Sequence, residues 1–283
     1  MKKITVAGVP EHFNHPWHIA LEKGLFAKEG IELSWIDVPE GTGKMCQMLR
    51  NGETDIAVIL TEGIVKDITQ GNPSKIVQEY VASPLVWGIH VAAESPFHKM
   101  EDIEYATAAI SREGSGSQLM AYVNAANEGW TTENLKFRIV HTIDGAVEAL
   151  TNGDADYFMW ERFMTKPLVD KGIFRRIADC PTPWPCFVIA VRDEVLASDR
   201  DTVSNMLSVI NSVTATFKEI PGIDAILADK FHQKKDDIQT WLGMTKWSQS
   251  GLAEDMLNKV QNQLLELSLI DKKGTFAEMV KTL

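Results

Sequence analysis

The sequence has few cysteines, no long apolar run and no cluster of basic residues. Its three cysteines, Cys46, Cys180 and Cys186, are an odd number without metal-ligand spacing, which favours buried thiols in a reducing compartment over a disulfide framework. No apolar segment approaches the roughly 20 residues that a membrane-spanning helix needs. The formal net charge is −11, with acids and bases interspersed. Neither nucleic acid nor an anionic membrane is therefore expected as a partner.

Signatures of catalysis and of cofactor binding are also missing. The sequence contains no Gly-x-Ser-x-Gly elbow, no phosphate-binding Walker loop and no His-Glu-x-x-His motif. The segment 114–116, Gly-Ser-Gly, resembles part of a dinucleotide-binding loop but lacks the third glycine. The sequence thus predicts no catalytic residue, no metal and no cofactor, and it favours a binding protein over an enzyme.

What the sequence does contain is one short pattern that occurs twice. Residues 48–58 read MLRNGETDIAV, and residues 149–159 read ALTNGDADYFM. In each copy Asn-Gly is typical of a helix end, because glycine adopts the left-handed conformation that closes a helix. The apolar run after Asp55 or Asp156 is typical of a strand covered on both faces. Each copy therefore predicts a helix-to-strand joint of a parallel α/β sheet, in which the two aspartates are structural.

The order of the other patterns predicts two α/β lobes, each a mostly parallel sheet flanked by helices. Lobe 1 is expected to comprise residues 1–92 and 187–283, and lobe 2 residues 93–186. The apolar run 86–92 is assigned to lobe 1, and the proline-rich segment 180–186 is an extended crossing. Two such crossings, near residues 92 and 186, are expected to form a hinge.

Two further motifs resemble a known family. Residues 20–31 read ALEKGLFAKEGI after Pro16, and Leu49-x-Asn51-Gly52-Glu53-x-Asp55 follows. Together they resemble the type II periplasmic-binding-protein fold, in particular the branch that binds nitrate, sulfonates and thiamine-pyrimidine precursors. The resemblance covers essentially the whole chain. It implies a solute-binding protein that closes over a small polar or anionic metabolite between its lobes, as the substrate-binding proteins of ABC transporters do.

The resemblance also bears on location and partners. Exported members begin with a signal peptide or a lipoprotein cysteine, whereas this sequence begins directly on a predicted strand. It therefore resembles the signal-less cytosolic members, and a cytoplasmic location is expected unless an export signal has been removed. A transporter permease would be the partner of an exported form. The sequence is silent on the oligomeric state.

In lobe 2 the predicted ligand site is a Gly/Ser loop between a strand and a helix. Backbone N–H groups and hydroxyls at such a position can hold an anion, although a serine there can equally be an ordinary helix cap. The loop contributes Ser111, Gly114, Ser115, Gly116 and Ser117. Trp160 and Glu161 end the second repeat, where ligands of open α/β sheets collect, and Trp160 is expected to be partly exposed there.

In lobe 1 the equivalent positions follow the first three strands. The predicted ligand-binding residues are Asn14, His15, Trp17, Gly41, Thr42, Thr61 and Glu62. Thr61 and Glu62 could instead only cap a helix. His15, His18 and Glu22 lie on one helical face, but without a fourth ligand a metal site is disfavoured.

Two other classes of function stay open at this level. One is a small-molecule biosynthetic enzyme on the same fold that uses Glu62, Glu161 or a histidine as acid or base. The other is a cytosolic metabolite sensor. The sensor hypothesis predicts an exposed apolar patch of Leu257, Val260, Leu264 and Leu267, which are read more simply as the core face of an amphipathic helix.

Overall fold

The computed structural model describes residues 1–283, which divide into two units. Unit 1 comprises Met1–Ser83 and Trp184–Leu283, and unit 2 comprises Pro84–Pro183. Each unit contains one five-stranded sheet with helices. The prediction of a two-lobed α/β fold is confirmed. None of the helices combines the length and the apolar composition needed to cross a membrane.

Ten strands and thirteen α-helices follow one another along the chain. The strands are β1 Lys2–Gly8, β2 Ile31–Asp37, β3 Ile56–Leu60, β4 Ser74–Val81, β5 Val86–Ala92, β6 Thr107–Ile110, β7 Lys136–Ile139, β8 Tyr157–Glu161, β9 Phe174–Pro181 and β10 Phe187–Arg192. The helices are α1 His15–Glu22, α2 Leu25–Lys28, α3 Thr42–Asn51, α4 Thr61–Thr69, α5 Gly116–Glu128, α6 Ile143–Asn152, α7 Lys166–Asp170, α8 Asp193–Ser198, α9 Arg200–Thr216, α10 Ile223–Lys230, α11 Lys235–Met244, α12 Glu254–Glu266 and α13 Phe276–Met279.

The two sheets share one topology. In unit 1 the strand order is β2-β1-β3-β10-β4, and in unit 2 it is β7-β6-β8-β5-β9. The first three strands of each order are parallel, whereas β10 and β5 run antiparallel to both of their neighbours. The fourth strand in each order is thus the one that reverses direction. The carboxyl ends of β1 and β3 lie at one edge of unit 1, and those of β6 and β8 lie at one edge of unit 2.

The position of β5 corrects the predicted lobe boundaries. The prediction assigned residues 86–92 to lobe 1, but β5 pairs with β8 and β9 in the sheet of unit 2, with Ile89 opposite Met159. The chain therefore passes between units at residues 83–84 and 183–184, rather than near 92 and 186. An apolar run predicts a buried strand but carries no information about which sheet it joins, because pairing depends on residues distant in sequence.

The repeated joint forms as predicted in both units. In each copy the glycine after Asn closes the helix in the left-handed conformation, with φ of 70° and 76°. The Oδ2 atom of Asp55 accepts hydrogen bonds from the backbone N–H and the hydroxyl of Thr5, both at 2.8 Å. The Oδ2 atom of Asp156 accepts one from the N–H of Thr107 at 2.7 Å. Each aspartate thus ties the start of its own strand to the neighbouring parallel strand, which confirms the structural role.

The helices of the last hundred residues pack their apolar faces inward. Leu257, Val260 and Leu264 on α12 are buried, and Leu267 just after it is partly covered. The exposed patch that the sensor hypothesis required is therefore missing at these positions, and the alternative prediction of a core face is confirmed.

Candidate functional site

Thr61 fixes the turn between β3 and α4 at the carboxyl edge of unit 1. Its hydroxyl donates a hydrogen bond to the carbonyl oxygen of Pro185 at 2.6 Å, and its N–H donates to the carbonyl of Cys186 at 3.2 Å. Both bonds join the start of α4 to the chain that enters β10. The hydroxyl of Thr61 is therefore used by the fold itself.

Glu62, the next residue, is a buried carboxyl with one oxygen bonded and one not. Its Oε2 atom accepts a 2.7 Å hydrogen bond from the indole N–H of Trp184, whereas Oε1 has no hydrogen-bond partner. Burial raises the pKa of Glu62 to about 7, partly offset by its backbone N–H and by the Trp184 indole. Nothing in the local sequence links Trp184 to Glu62, because the two residues lie 122 positions apart.

Gly41 and Thr42 begin α3 beside the same turn. Gly41 has a φ of 77°, which glycine adopts without strain. A Cβ atom on Gly63 would lie 2.2 Å from the Cγ2 atom of Thr42, so the Thr42 methyl packs directly on the first turn of α4. The structure therefore brings Thr42 and Glu62 to the same end of unit 1.

The loop after β1 is more buried than the sequence suggested. Asn14 is buried and its Nδ2 atom donates to the carbonyl of Val9 at 2.8 Å, which leaves its buried Oδ1 atom without a partner. Trp17 is fully buried in the core, where it packs on Phe26 and Trp35. Its role in this structure is packing, because the first turn of α1 faces inward.

His15 lies beside a cation. Lys230 Nζ is 3.3 Å from His15 Nδ1, and burial, reinforced by the charges of Lys230 and His18, lowers the pKa of His15 to about 4. A neighbouring ammonium group disfavours a second cation at this place. No group of three or more His, Cys, Asp or Glu side chains is arranged to hold a metal ion.

Sequence reasoning did not single out His12. Its ring is fully buried against the rings of Phe13, Phe231 and Trp241, with the Trp241 centroid 4.1 Å away. Neither ring nitrogen has a hydrogen-bond partner, and burial lowers the pKa of His12 to about 3. A histidine in a polar-looking loop gives no sequence signal that distant aromatic rings will enclose it.

In unit 2 the predicted loop forms a cluster of three buried hydroxyls at the N-terminus of α5. Ser117 Oγ lies 3.0 Å from Ser115 Oγ and 3.4 Å from Ser111 Oγ, and it accepts a hydrogen bond from the Ser111 N–H at 3.0 Å. Ser115 is the N-cap and accepts from the N–H of Gln118 at 3.4 Å. Gly114, with a φ of 71°, makes the turn that places them. The loop is thus both a helix cap and a hydroxyl cluster.

Glu161 and Trp160 lie at the carboxyl end of β8 at the same edge of unit 2. Glu161 is buried, and its Oε2 atom accepts hydrogen bonds from the N–H groups of Phe163 at 2.9 Å and Met164 at 2.7 Å. These bonds hold the turn after β8. Trp160 is half-buried and stacks on Phe158 with the ring centroids 5.4 Å apart.

These observations define the class. Two five-stranded sheets, each with one reversed strand and the same strand order, are typical of the type II periplasmic-binding-protein fold, and this chain has that fold. Residues 87–180, which lie within unit 2, match the model of the Ca3427-like family of periplasmic binding proteins. No curated protein matches the chain in sequence.

Solved structures of the same fold align with this chain over its whole length. The CA3427 gene product of Candida albicans, described as having the generic periplasmic-binding-protein fold, has a TM-score of 0.93 and 24% identity over 100% of this chain and 97% of its own. The alkanesulfonate-binding protein SsuA of Xanthomonas axonopodis pv. citri has a TM-score of 0.84 and 13% identity, with 100% and 99% covered. The ligand-binding component of an ABC-type import system from Staphylococcus aureus has a TM-score of 0.78 and 13% identity, over 100% of this chain and 97% of its own.

Proposed function

We propose that this chain is a substrate-binding protein for a small anionic or polar metabolite, of the sulfonate, carboxylate or aminopyrimidine type. The observation that carries the proposal is the serine cluster at the N-terminus of α5. If the protein acts in transport, its partner is an ABC permease.

Counting donors supports an anion at this cluster. Ser111, Ser115 and Ser117 bring three O–H donors, and the two contacts among their oxygens use at most two of them. At least one O–H is left to donate to a ligand. The first turn of α5 adds backbone N–H groups that have no acceptor within the helix, together with the positive end of its dipole. Both features favour a negatively charged group.

The relatives support the same chemical class. One structural relative is an alkanesulfonate-binding protein, and another is the binding component of an import system. In unit 1, Thr42 and Glu62 lie in the first turns of α3 and α4, each of which follows a strand. That both lobes close on one ligand, with the crossings as hinge, stays a prediction.

The test is a thermal-shift screen followed by calorimetry. The probes are ethanesulfonate, propanoate, nitrate and pyrimidines, since a ligand that binds only the folded state raises Tm by mass action. We expect a shift that disappears in the Ser115→Ala/Ser117→Ala double variant. The control is Thr275→Ala, which removes a comparable N-cap from α13 and is expected to keep the shift. No shift with any probe, or a shift unaffected by the serine changes, would refute the proposal.

A further inference from the structure

The unbonded oxygen of Glu62 is the most informative unexplained feature of unit 1. Glu62 has only 1% of its surface exposed, and Oε1 is buried without a donor, while Oε2 is occupied by the Trp184 indole. A buried carboxyl oxygen without a hydrogen bond is unfavourable, and buried polar atoms in folded proteins nearly always have a partner. Glu62 lies in the first turn of α4, directly after β3. Its unbonded oxygen is therefore at the edge of the sheet where ligands of open α/β folds bind.

A second buried acceptor occurs at the same edge. Asn14 follows β1, the parallel neighbour of β3, and its amide orientation is set because Nδ2 donates to Val9. Its Oδ1 atom is therefore an acceptor, and it too is buried without a partner. Thr61, which precedes Glu62, already uses its hydroxyl within the fold. Two side-chain acceptors at this edge of unit 1, Asn14 Oδ1 and Glu62 Oε1, thus lack a donor.

Both atoms require a hydrogen-bond donor, and ligand groups differ in how many donor hydrogens they carry. A ligand carbonyl or acid group would offer Asn14 Oδ1 only another acceptor. A hydroxyl could donate to one of the two atoms, whereas an amino group carries more than one hydrogen and can donate more than once. The pKa of Glu62 is set by burial, by its backbone N–H and by the Trp184 indole, and no cationic side chain is among these causes.

From this we infer that Glu62 is a specificity-determining residue that selects ligands bearing an amino nitrogen, which donates a hydrogen bond to Oε1. The inference rests on the proposed function, since it names a chemical group of the proposed ligand. A protonated amine stabilises the ionised carboxylate and makes a charge-assisted bond, and a neutral amino group makes a weaker one. Binding of an amine near pH 7 then shifts the Glu62 carboxyl towards its ionised form and releases part of a proton.

Matched pairs of probes isolate the amino group. Calorimetry compares 2-aminoethanesulfonate with ethanesulfonate, and 4-aminopyrimidine with pyrimidine, on the wild-type chain and on Glu62→Gln. The glutamine can keep an oxygen for the Trp184 indole and places a donor where Oε1 stood. In at least one pair we expect the amino member to bind about tenfold or more tightly to the wild type. In the variant that preference falls to about twofold or less.

Proton release gives an independent readout. Titrations at pH 7 in two buffers of different ionisation enthalpy should show protons released when the amino member binds the wild type, and no release with Glu62→Gln. Probes that bind without any amino preference, or with a preference that the glutamine preserves, would overturn the inference and leave the proposed function standing. If no probe binds and the serine variants change nothing, both fail together.

Discussion

Replacing Glu62 by glutamine should change how the stability of the ligand-free chain depends on pH. The carboxyl is fully buried, and its pKa rises from an ordinary 4.5 to about 7 in the folded chain. The folded state therefore holds the Glu62 proton more tightly than the unfolded state does. Its contribution to the free energy of unfolding is fully present below pH 4.5 and is lost as the pH rises towards and beyond 7.

The size of the effect follows from the difference between the two pKa values. One pKa unit corresponds to about 1.4 kcal/mol, so the rise from 4.5 to about 7 amounts to roughly 3 kcal/mol. Because the side chain is buried, little of this is screened by solvent. A neutral glutamine has no such dependence, so the variant should gain roughly 3 kcal/mol relative to the wild type between pH 4.5 and pH 8.

Urea unfolding at half-unit pH steps measures this difference directly, provided that both proteins unfold with the same m-value. The difference between variant and wild type cancels the titration of all other groups. A difference that stays constant within about 0.5 kcal/mol across this range would show that Glu62 has the same pKa in the folded and unfolded chain, and would refute the reasoning.

Two further predictions concern the fold. In urea titrations, Asp55→Ala should lower the free energy of unfolding by about 3 kcal/mol, because its Oδ2 atom accepts two hydrogen bonds. Asp156→Ala should lower it by about 1.5 kcal/mol, because its Oδ2 atom accepts one. Equal losses would contradict this account of the two joints. His12→Phe should stabilise the chain by about 1 kcal/mol near pH 7, since a buried ring nitrogen then no longer lacks a partner. The gain should grow as the pH falls below 6.5, because the folded chain keeps His12 neutral down to about pH 3; a gain independent of pH in thermal unfolding would refute this assignment.

Local sequence patterns were sufficient to predict the order of the helices and strands. Asn-Gly closes a helix and a covered strand is apolar whatever the rest of the chain does, so both joints were predictable from eleven residues each. The aspartates in those joints could be read as structural for the same reason. The Gly/Ser loop was recognisable because a helix N-terminus after a strand has a local signature.

The tertiary structure decided what depends on partners far along the chain. It assigned β5 to the sheet of unit 2, buried Trp17 under other aromatic rings, and enclosed His12. It also placed the Trp184 indole on one oxygen of Glu62 and left the other unbonded. Burial and hydrogen-bond satisfaction are properties of neighbours in space, and a sequence specifies those neighbours only through the complete fold. The sequence therefore determined where ligand-binding groups could lie, and only the folded chain decided which atoms remain available to a ligand.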